Sequence, residues 1–266
     1  MRFLLLRSSS MDAACSDSTA IWRRAVGLIV GATAQLMFAV TVISLYRFLS
    51  DTAAKFAAPS SFATMLLSDV GLALLFAVPH SLLRFPKVQS AICRVIGREF
   101  FGVFYCIVTC VSLWIVFWGW QGSERVVWEL HGWSRTVVVI AFHLSWLALG
   151  YSLLLTGLGY QTGFTEWSHW ARRLPLPRRR FAPTGAYSWL RHPVYLSFAG
   201  LIWFTPRMTL DHALLTAVWS AYLAIGSYLK DERLAHYMGD EYRRYQEQVP
   251  GYPLVPSGPL GRRKLG

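Results

Sequence analysis

Long apolar segments, separated by short polar stretches, constrain the fold of this chain more than any other feature of its sequence. A helix that crosses the hydrocarbon core of a bilayer needs about 20 apolar residues. One short segment, at about 193–205, is bracketed by Pro193 and Pro206 and predicts half of a tilted helical hairpin with the segment that follows it. Five longer segments predict transmembrane helices, and they lie at about 25–49, 63–83, 100–120, 136–158 and 210–229.

The composition favours lipid over water as the solvent for these segments. Of the 266 residues, 54% are hydrophobic and 15% are charged, and the mean hydropathy is +0.37. Soluble domains carry about 25% charged residues. The predicted fold is therefore an all-α, polytopic membrane helical bundle with five or six transmembrane helices, the last two forming a hairpin. A small cytoplasmic C-terminal helical cap is expected to follow the hairpin.

The basic residues predict the orientation of the chain in the membrane. Of the 26 Lys and Arg, 21 lie in alternate polar stretches and four lie in the stretches between them, with Arg47 at a helix end. The more basic stretches of a membrane protein stay in the cytoplasm. This split predicts six crossings of an inner (cytoplasmic) membrane, with both termini cytoplasmic. Because topology accounts for the formal net charge of +12, no nucleic-acid partner is expected.

The cysteines do not form a metal-binding pattern. Cys15, Cys93, Cys106 and Cys110 contain no C-x-x-C pair, and no His lies at zinc-finger spacing from them. Cys106 and Cys110 lie one helical turn apart in an apolar segment, which favours helix packing over redox or metal chemistry. No metal site is therefore predicted.

The sequence RHPVY at 191–195 opens the short apolar segment. Proline suits the first turn of a helix, because its missing N–H group would be unpaired there in any case. Arg191 and His192 are therefore expected at a helix N-terminus, whose free N–H groups and positive dipole end favour an anionic group on a ligand. The alternative is an Arg that extends to the membrane boundary beside an adjacent His.

An acid-rich stretch at 230–253 follows the last apolar segment. Asp231 and Glu232 are the first acidic residues after a long, nearly uncharged run, and Gly239 is expected to break the helix. On its own, this stretch is typical of a solvated amphipathic helix that lies on the membrane surface.

Taken together, the two stretches resemble the C-terminal signature of the isoprenylcysteine carboxyl methyltransferase superfamily. The shared elements are R-H-P-x-Y, a hairpin of two membrane helices, acid-rich residues, L-x-x-x-x-G-x-x-Y-x-x-Y and V-P, and they cover about 178–253. Outside this signature, LLFAVPHSLLRFP (74–86), FWGWQ (117–121) and IWFTPRMTLDHALL (202–215) are similar to the bacterial methanethiol S-methyltransferases and the NnrU-like proteins.

The resemblance implies a site for S-adenosyl-L-methionine within residues 178–253. The family usually has Glu-Glu where this chain has Lys230 and Asp231, so that Asp231 or Glu232 would have to make the acidic contact with the cofactor. The residues expected to bind the cofactor are Tyr187, His192, Pro193, Val194, Tyr195, Asp231 and Glu232.

The resemblance further implies an integral-membrane methyltransferase of the EC 2.1.1 class that S-methylates a small thiol such as methanethiol to give dimethyl sulfide. The nucleophile is the thiolate, so the acceptor must lose its proton. Arg191 would lower the pKa of the acceptor, and His192 or His80 would accept the proton. The expected partners are a small thiol or lipophilic acceptor and membrane lipid, and the sequence leaves the oligomeric state open.

Two alternatives remain open at this stage. The first is carboxyl methylation of an isoprenylcysteine or another lipophilic acceptor on the same scaffold. The second is a non-enzymatic, NnrU-like membrane accessory protein, in which His80 and His143 would bind haem.

The predicted domain organisation is simple. Residues 1–20 are expected to form a disordered N-terminal arm, and residues 21–253 are expected to form a single integral-membrane, methyltransferase-like domain. Residues 178–253 would be its cofactor-site region, and residues 254–266 are expected to be a flexible basic tail.

Overall fold

A computed structural model describes residues 3–50, 61–177 and 181–263 of the chain, with side chains described from residue 21 onward. Its helices confirm the predicted all-α membrane fold, because five of them are long and apolar enough to cross a bilayer. These five are Ile21–Leu49 (the apolar part of α1), α2 (Phe62–Leu82), α4 (Phe101–Gly119), α5 (Gly132–Thr156) and α9 (Leu210–Met238).

Shorter elements connect and cover these helices. The predicted short segment forms α8, which has 11 residues and pairs with α9 as a hairpin. The remaining elements are α1 in full (Phe3–Leu49), α3 (Pro86–Ile96), α6 (Leu158–Gln161), α7 (Phe164–Arg172), a 3₁₀ turn (Gly185–Ser188), α8 (Pro193–Trp203), α10 (Asp240–Gln248), β1 (Val126–Glu129) and β2 (Arg207–Thr209).

Local sequence signals set several of these boundaries. The Ser61 side chain accepts a hydrogen bond from the Thr64 N–H at 3.2 Å and caps the start of α2. Pro193 occupies the first turn of α8, where a proline costs no hydrogen bond. Gly239 has a φ of +59° and separates α9 from α10, so the predicted helix break is confirmed.

The apolar helices pack side by side around one core. In order around the bundle, α5 contacts α8, α8 contacts α9, α9 contacts α2, α2 contacts α4 and α4 contacts α1. Tyr46 of α1 lies against Phe142 and Trp146 of α5. The core includes Leu113 and Val116 of α4 together with Leu201 and Ile202 of α8.

The strands β1 and β2 pair in antiparallel fashion and define what we call the ribbon end of the bundle. They join the α4–α5 connection to the α8–α9 turn. Buried polar contacts support this join, because the Asp211 carboxylate accepts hydrogen bonds from Trp120 Nε1 at 3.3 Å and from the Ser123 N–H at 3.1 Å. In the described residues, β1 and β2 are the only two strands that pair with each other. The sequence did not predict this ribbon.

The opposite end, which we call the cap end, carries α10 and the chain that follows it. Residues 254–263 belong to the tail predicted to be flexible. The carbonyl oxygens of Pro259 and Gly261 accept hydrogen bonds from a buried arginine, so this segment contacts the body, and its flexibility stays a prediction. Residues 264–266 lie outside the described part of the chain. The backbone of α1 begins at Phe3, within the arm predicted to be disordered, but the side chains of residues 3–20 are not described, so the disorder of this arm stays a prediction.

A close contact between two glycines joins α4 to the turn that precedes α7. A Cβ atom added to Gly163 would overlap the backbone of Gly102 and Val103, and Gly163 also has a φ of +75°. Both the backbone conformation and the lack of space therefore require glycine at this position.

We predict that Gly163→Ala destabilises the protein by about 2 kcal/mol or more, from αL strain and overpacking together. Such a loss corresponds to a fall in Tm of about 5 °C or more for a chain of this size. Gly150→Ala is the matched control, because Gly150 lies within α5 with nothing within 4 Å of its added Cβ. Thermal unfolding in detergent checks both variants, and equal Tm values would contradict the close contact.

Candidate active site

Arg191 lies immediately before α8 and is the most highly connected polar side chain of the cap end. Its guanidinium donates from Nε and Nη2 to Asp231 Oδ2, at 3.0 and 2.8 Å. Both side chains have no exposed surface. A buried charge is stable only when it is paired and hydrogen-bonded, and this pair meets that requirement. The pair thus joins the start of α8 to α9.

The remaining donors of Arg191 bind the last turn of α10 and the chain that follows it. Its Nη1 atom donates to the carbonyl oxygens of Gln246, Val249 and Gly261, at 3.1, 2.6 and 2.8 Å. Its Nη2 atom also lies 3.4 Å from the Pro259 carbonyl oxygen. All three guanidinium nitrogens are therefore engaged by the protein itself.

Two tyrosines of α10 complete this network. The Tyr242 hydroxyl donates to Asp231 Oδ1 at 2.5 Å, so both oxygens of that carboxylate have protein partners. Burial, followed by the neighbouring Asp231 carboxylate, raises the pKa of Tyr242, which keeps its hydroxyl protonated as a donor. The Tyr245 hydroxyl donates to the Tyr187 carbonyl oxygen at 2.5 Å. The network thereby fixes the 3₁₀ turn that carries Tyr187.

Glu232 has a different environment from its neighbour Asp231. Its side chain is about half exposed, at 47%, and forms an ion pair with Arg263. The Arg263 guanidinium lies 5.2 Å from the centre of the Tyr228 ring. The contacts of both Asp231 and Glu232 are thus with protein groups, and their direct contact with a cofactor stays a prediction.

His192 is fully buried between the network and a group of aromatic rings. Its Nε2 atom lies 3.2 Å from Asp231 Oδ2, and its ring lies 5.5 Å from the Tyr195 ring and 5.4 Å from the Tyr252 ring, between centres. Burial lowers the pKa of His192, and the Asp231 carboxylate opposes this shift only in part. Its Nδ1 atom has no hydrogen-bond partner among the described residues.

Tyr187 and Tyr195 face a common space beside α9. The Lys230 Nζ atom lies 5.7 Å from the centre of the Tyr187 ring and 5.5 Å from that of Tyr195. The Tyr195 hydroxyl donates to the Gly226 carbonyl oxygen at 3.3 Å. Burial raises the pKa of Tyr187 to about 12. We call this group of side chains the aromatic cleft, and it consists of Tyr187, His192, Tyr195 and Tyr252, with Lys230 at its border.

His80, near the end of α2, lies in a neighbouring polar group rather than against His192. Its Nε2 atom lies 2.7 Å from the Tyr105 hydroxyl, and its Nδ1 atom lies 3.3 Å from the Thr109 hydroxyl. Its ring also contacts the ring of Tyr222. The hydroxyl groups of Tyr105 and Tyr222 are close enough to Tyr195 to interact with it electrostatically. His80 is therefore connected to the aromatic cleft through tyrosines.

The structure brings together most of the residues that the sequence singled out. Pro193 is buried at the start of α8, and Val194 packs against the hydrophobic core. Lys230 stands out in the sequence only as a departure from the family pattern, and sequence reasoning missed Tyr252 and the position of Arg233 on the same helix face as Lys230. A signal was present, because Lys230 and Arg233 lie three residues apart and therefore on one face of α9.

The fold and the site define a class: a polytopic helical membrane protein with a buried aromatic cleft between its last helical hairpin and a folded C-terminal cap. The profile of the NnrU protein family matches residues 70–233. The chain belongs to this family, which confirms the resemblance drawn from the sequence.

Several curated relatives are similar to this chain over most of its length. Methanethiol S-methyltransferase 1 of Bradyrhizobium diazoefficiens is 27% identical over 235 residues, which cover 84% of this chain and 80% of the relative. Methanethiol S-methyltransferase of Pseudomonas deceptionensis is 30% identical over 71% of this chain and 73% of the relative. Nurim of Rattus norvegicus is 28% identical over 70% of this chain and 74% of the relative. No solved structure gives a significant match.

We predict that Asp231→Asn destabilises the protein by about 3–5 kcal/mol, because it leaves the buried Arg191 guanidinium without a counter-charge. Glu232→Gln is the matched control, since it removes only an exposed ion pair worth about 0–1 kcal/mol. Thermal unfolding in detergent gives the difference in Tm, and limited proteolysis reports the release of residues 254–263. Equal stability and equal protease resistance of the two variants would show that the buried pair does not hold the cap.

Proposed function

We propose that this chain is an integral-membrane, S-adenosyl-L-methionine-dependent methyltransferase that S-methylates a small thiol, with methanethiol as its acceptor. The observation that carries the proposal is the aromatic cleft, which unites the two sequence stretches of the family signature at one place. The chain's similarity to several methanethiol S-methyltransferases over most of their length supports it.

The residues of the aromatic cleft fit the cofactor. A sulfonium cation binds favourably to aromatic faces, and the Tyr252 ring, which packs against His192, would offer such a face. The Lys230 ammonium already lies over the rings of Tyr187 and Tyr195, so the sulfonium would reach those rings only if Lys230 moved aside. A nucleoside needs polar partners. Among the described residues, the buried Nδ1 atom of His192 has no hydrogen-bond partner, so it is available to bind one. Gly226 borders the Tyr195 ring, where an added Cβ atom would lie 3.4 Å from Cε1.

When bound, S-adenosyl-L-methionine supplies an activated methyl group for in-line transfer to the acceptor. The chain's own residues would position the reactants and keep water away, which is most of what such a displacement needs. Tyr187, His192, Pro193, Val194 and Tyr195 would form the wall of the pocket. Because Arg191 and Asp231 are bound by protein groups, we assign them the role of holding that wall in place.

His80 is a candidate proton acceptor for the thiol. Its two ring nitrogens lie next to the hydroxyls of Tyr105 and Thr109, so a proton could reach it through the Tyr105 hydroxyl. We assign the protein to the inner (cytoplasmic) membrane. The distribution of basic residues supports a cytoplasmic location for both termini and for the cap end.

A methyl-transfer assay tests the proposal directly. Purified protein in detergent should transfer labelled methyl groups from S-adenosyl-L-methionine to methanethiol and give a volatile, base-stable product. A base-labile product would indicate a methyl ester and therefore carboxyl methylation. S-Adenosylhomocysteine should raise Tm, since a ligand at 100 times its Kd stabilises the folded state by about 2.7 kcal/mol. No shift at millimolar ligand, together with no labelled product, would refute the proposed function.

We predict that Tyr195→Leu weakens the response to S-adenosylhomocysteine, because it removes an aromatic wall of the cleft. The ligand concentration for half-maximal thermal shift should rise by about tenfold. Tyr237→Leu is the control, since Tyr237 lies on α9 with 58% of its surface exposed. Equal ligand responses of the two variants would place the cofactor elsewhere.

A further inference from the structure

Three basic side chains meet beside the aromatic cleft. Arg84 follows the end of α2, whereas Lys230 and Arg233 project from α9. The Arg84 guanidinium lies 5.3 Å from the centre of the Tyr105 ring, and Lys230 lies over Tyr187 and Tyr195. The charges of Arg84 and Arg233 act on each other and on Lys230. We call Arg84, Lys230 and Arg233 the basic triad.

In the part of the chain that the structure describes, the basic triad makes no direct ion pair, although the Asp231 carboxylate acts on Lys230 electrostatically. The two nearest acids on α9 are already engaged. Asp231 binds Arg191, and Glu232 binds Arg263. Like charges at close range repel one another, so this arrangement is unfavourable unless a negative group joins it.

Neutral donors surround the same space. The hydroxyls of Tyr105, Tyr195 and Tyr222 interact electrostatically with Arg233, and so does His80. The Tyr195 hydroxyl already donates to the Gly226 carbonyl oxygen and the Tyr105 hydroxyl already bonds His80, so the three cations are the groups left to bind an anion. The lining of this space therefore selects for negative charge.

The cofactor alone does not supply that charge. S-Adenosyl-L-methionine carries one carboxylate against a sulfonium and an ammonium group, so its net charge is positive. Its binding would add to the positive charge of the triad rather than cancel it. The second reactant, the methyl acceptor, is the remaining source of negative charge.

We propose that Arg84, Lys230 and Arg233 bind the methyl acceptor as an anion and thereby make thiols that carry a negative charge the preferred substrates. This inference rests on the proposed function, whose site it extends. The thiol proton leaves to water or to His80 before transfer. The thiolate lone pair then forms the new S–CH₃ bond as the methyl–sulfonium bond breaks, and the electron pair of the broken bond stays on the departing thioether sulfur.

Three thiols of similar size test the preference for charge. Mercaptoacetate is an anion at neutral pH, 2-mercaptoethanol is neutral and 2-aminoethanethiol is a cation. Because the thiol of 2-aminoethanethiol is the most acidic of the three and that of mercaptoacetate the least, the KM for methyl transfer is expressed as the concentration of thiolate. On that scale we expect KM to increase in that order, by about tenfold from the first thiol to the last. Thermal stabilisation of the protein with S-adenosylhomocysteine bound should follow the same order, and this readout does not require activity. No preference for the anion would overturn the inference.

Lys230→Met and Arg233→Met test the triad itself, with Arg243→Met as the control. Arg243 lies on α10, half exposed and paired with Asp240. The triad variants should raise the KM for methanethiol by about tenfold or more and keep the thermal shift with S-adenosylhomocysteine. Their ligand-free Tm should stay equal or rise, because a repulsive charge is removed, whereas a structural role predicts a lower Tm and contradicts the inference.

The remaining outcomes separate this inference from the proposed function. If the triad variants lose the response to S-adenosylhomocysteine but keep the KM for methanethiol, the triad binds the cofactor carboxylate and the inference is wrong. If neither quantity changes, the triad has no part in binding and the inference is also wrong. A wild-type protein without any response to S-adenosylhomocysteine and without methyl transfer would instead refute the proposed function.

Discussion

The buried ion pair between Arg191 and Asp231 is the interaction on which the rest of the cap end depends. It joins α8 to α9, and the same guanidinium binds the carbonyl oxygens of residues 246–261. A charge that has lost its water must find partners within the protein, so the cap has to fold over the pair. The aromatic cleft is a consequence, because its rings are attached to the segments that the pair draws together.

The pair also determines the electrostatics of the neighbouring space. Asp231 makes its direct contacts with Arg191 and Tyr242, so that it acts on Lys230 beside it only at a distance. Glu232 points outward to Arg263. The cleft consequently borders three cations and no available acid among the described residues. A site of this kind favours an anionic reactant, and a thiolate is the reactive form of a thiol.

The sequence predicted the membrane helices well, because length and apolar character alone define a helix that spans a bilayer. It also identified the two stretches that meet, since Arg191–Tyr195 and Asp231 carry a recognisable pattern. The roles of individual side chains were harder to predict. Whether Arg191 faces a ligand or the protein depends on carbonyl groups some 55–70 residues later in the chain, and no local pattern reveals them. The contacts of Pro259 and Gly261 with Arg191 were missed for the same reason.

Hydrogen–deuterium exchange of the detergent-solubilised protein, with and without S-adenosylhomocysteine, tests the central claim most directly. If the buried pair couples the cleft to the cap, ligand binding should slow exchange both at residues 185–195 and at residues 246–263, which share the Arg191 network. Protection confined to other segments, or protection of the cleft without any change in the cap, would contradict this account.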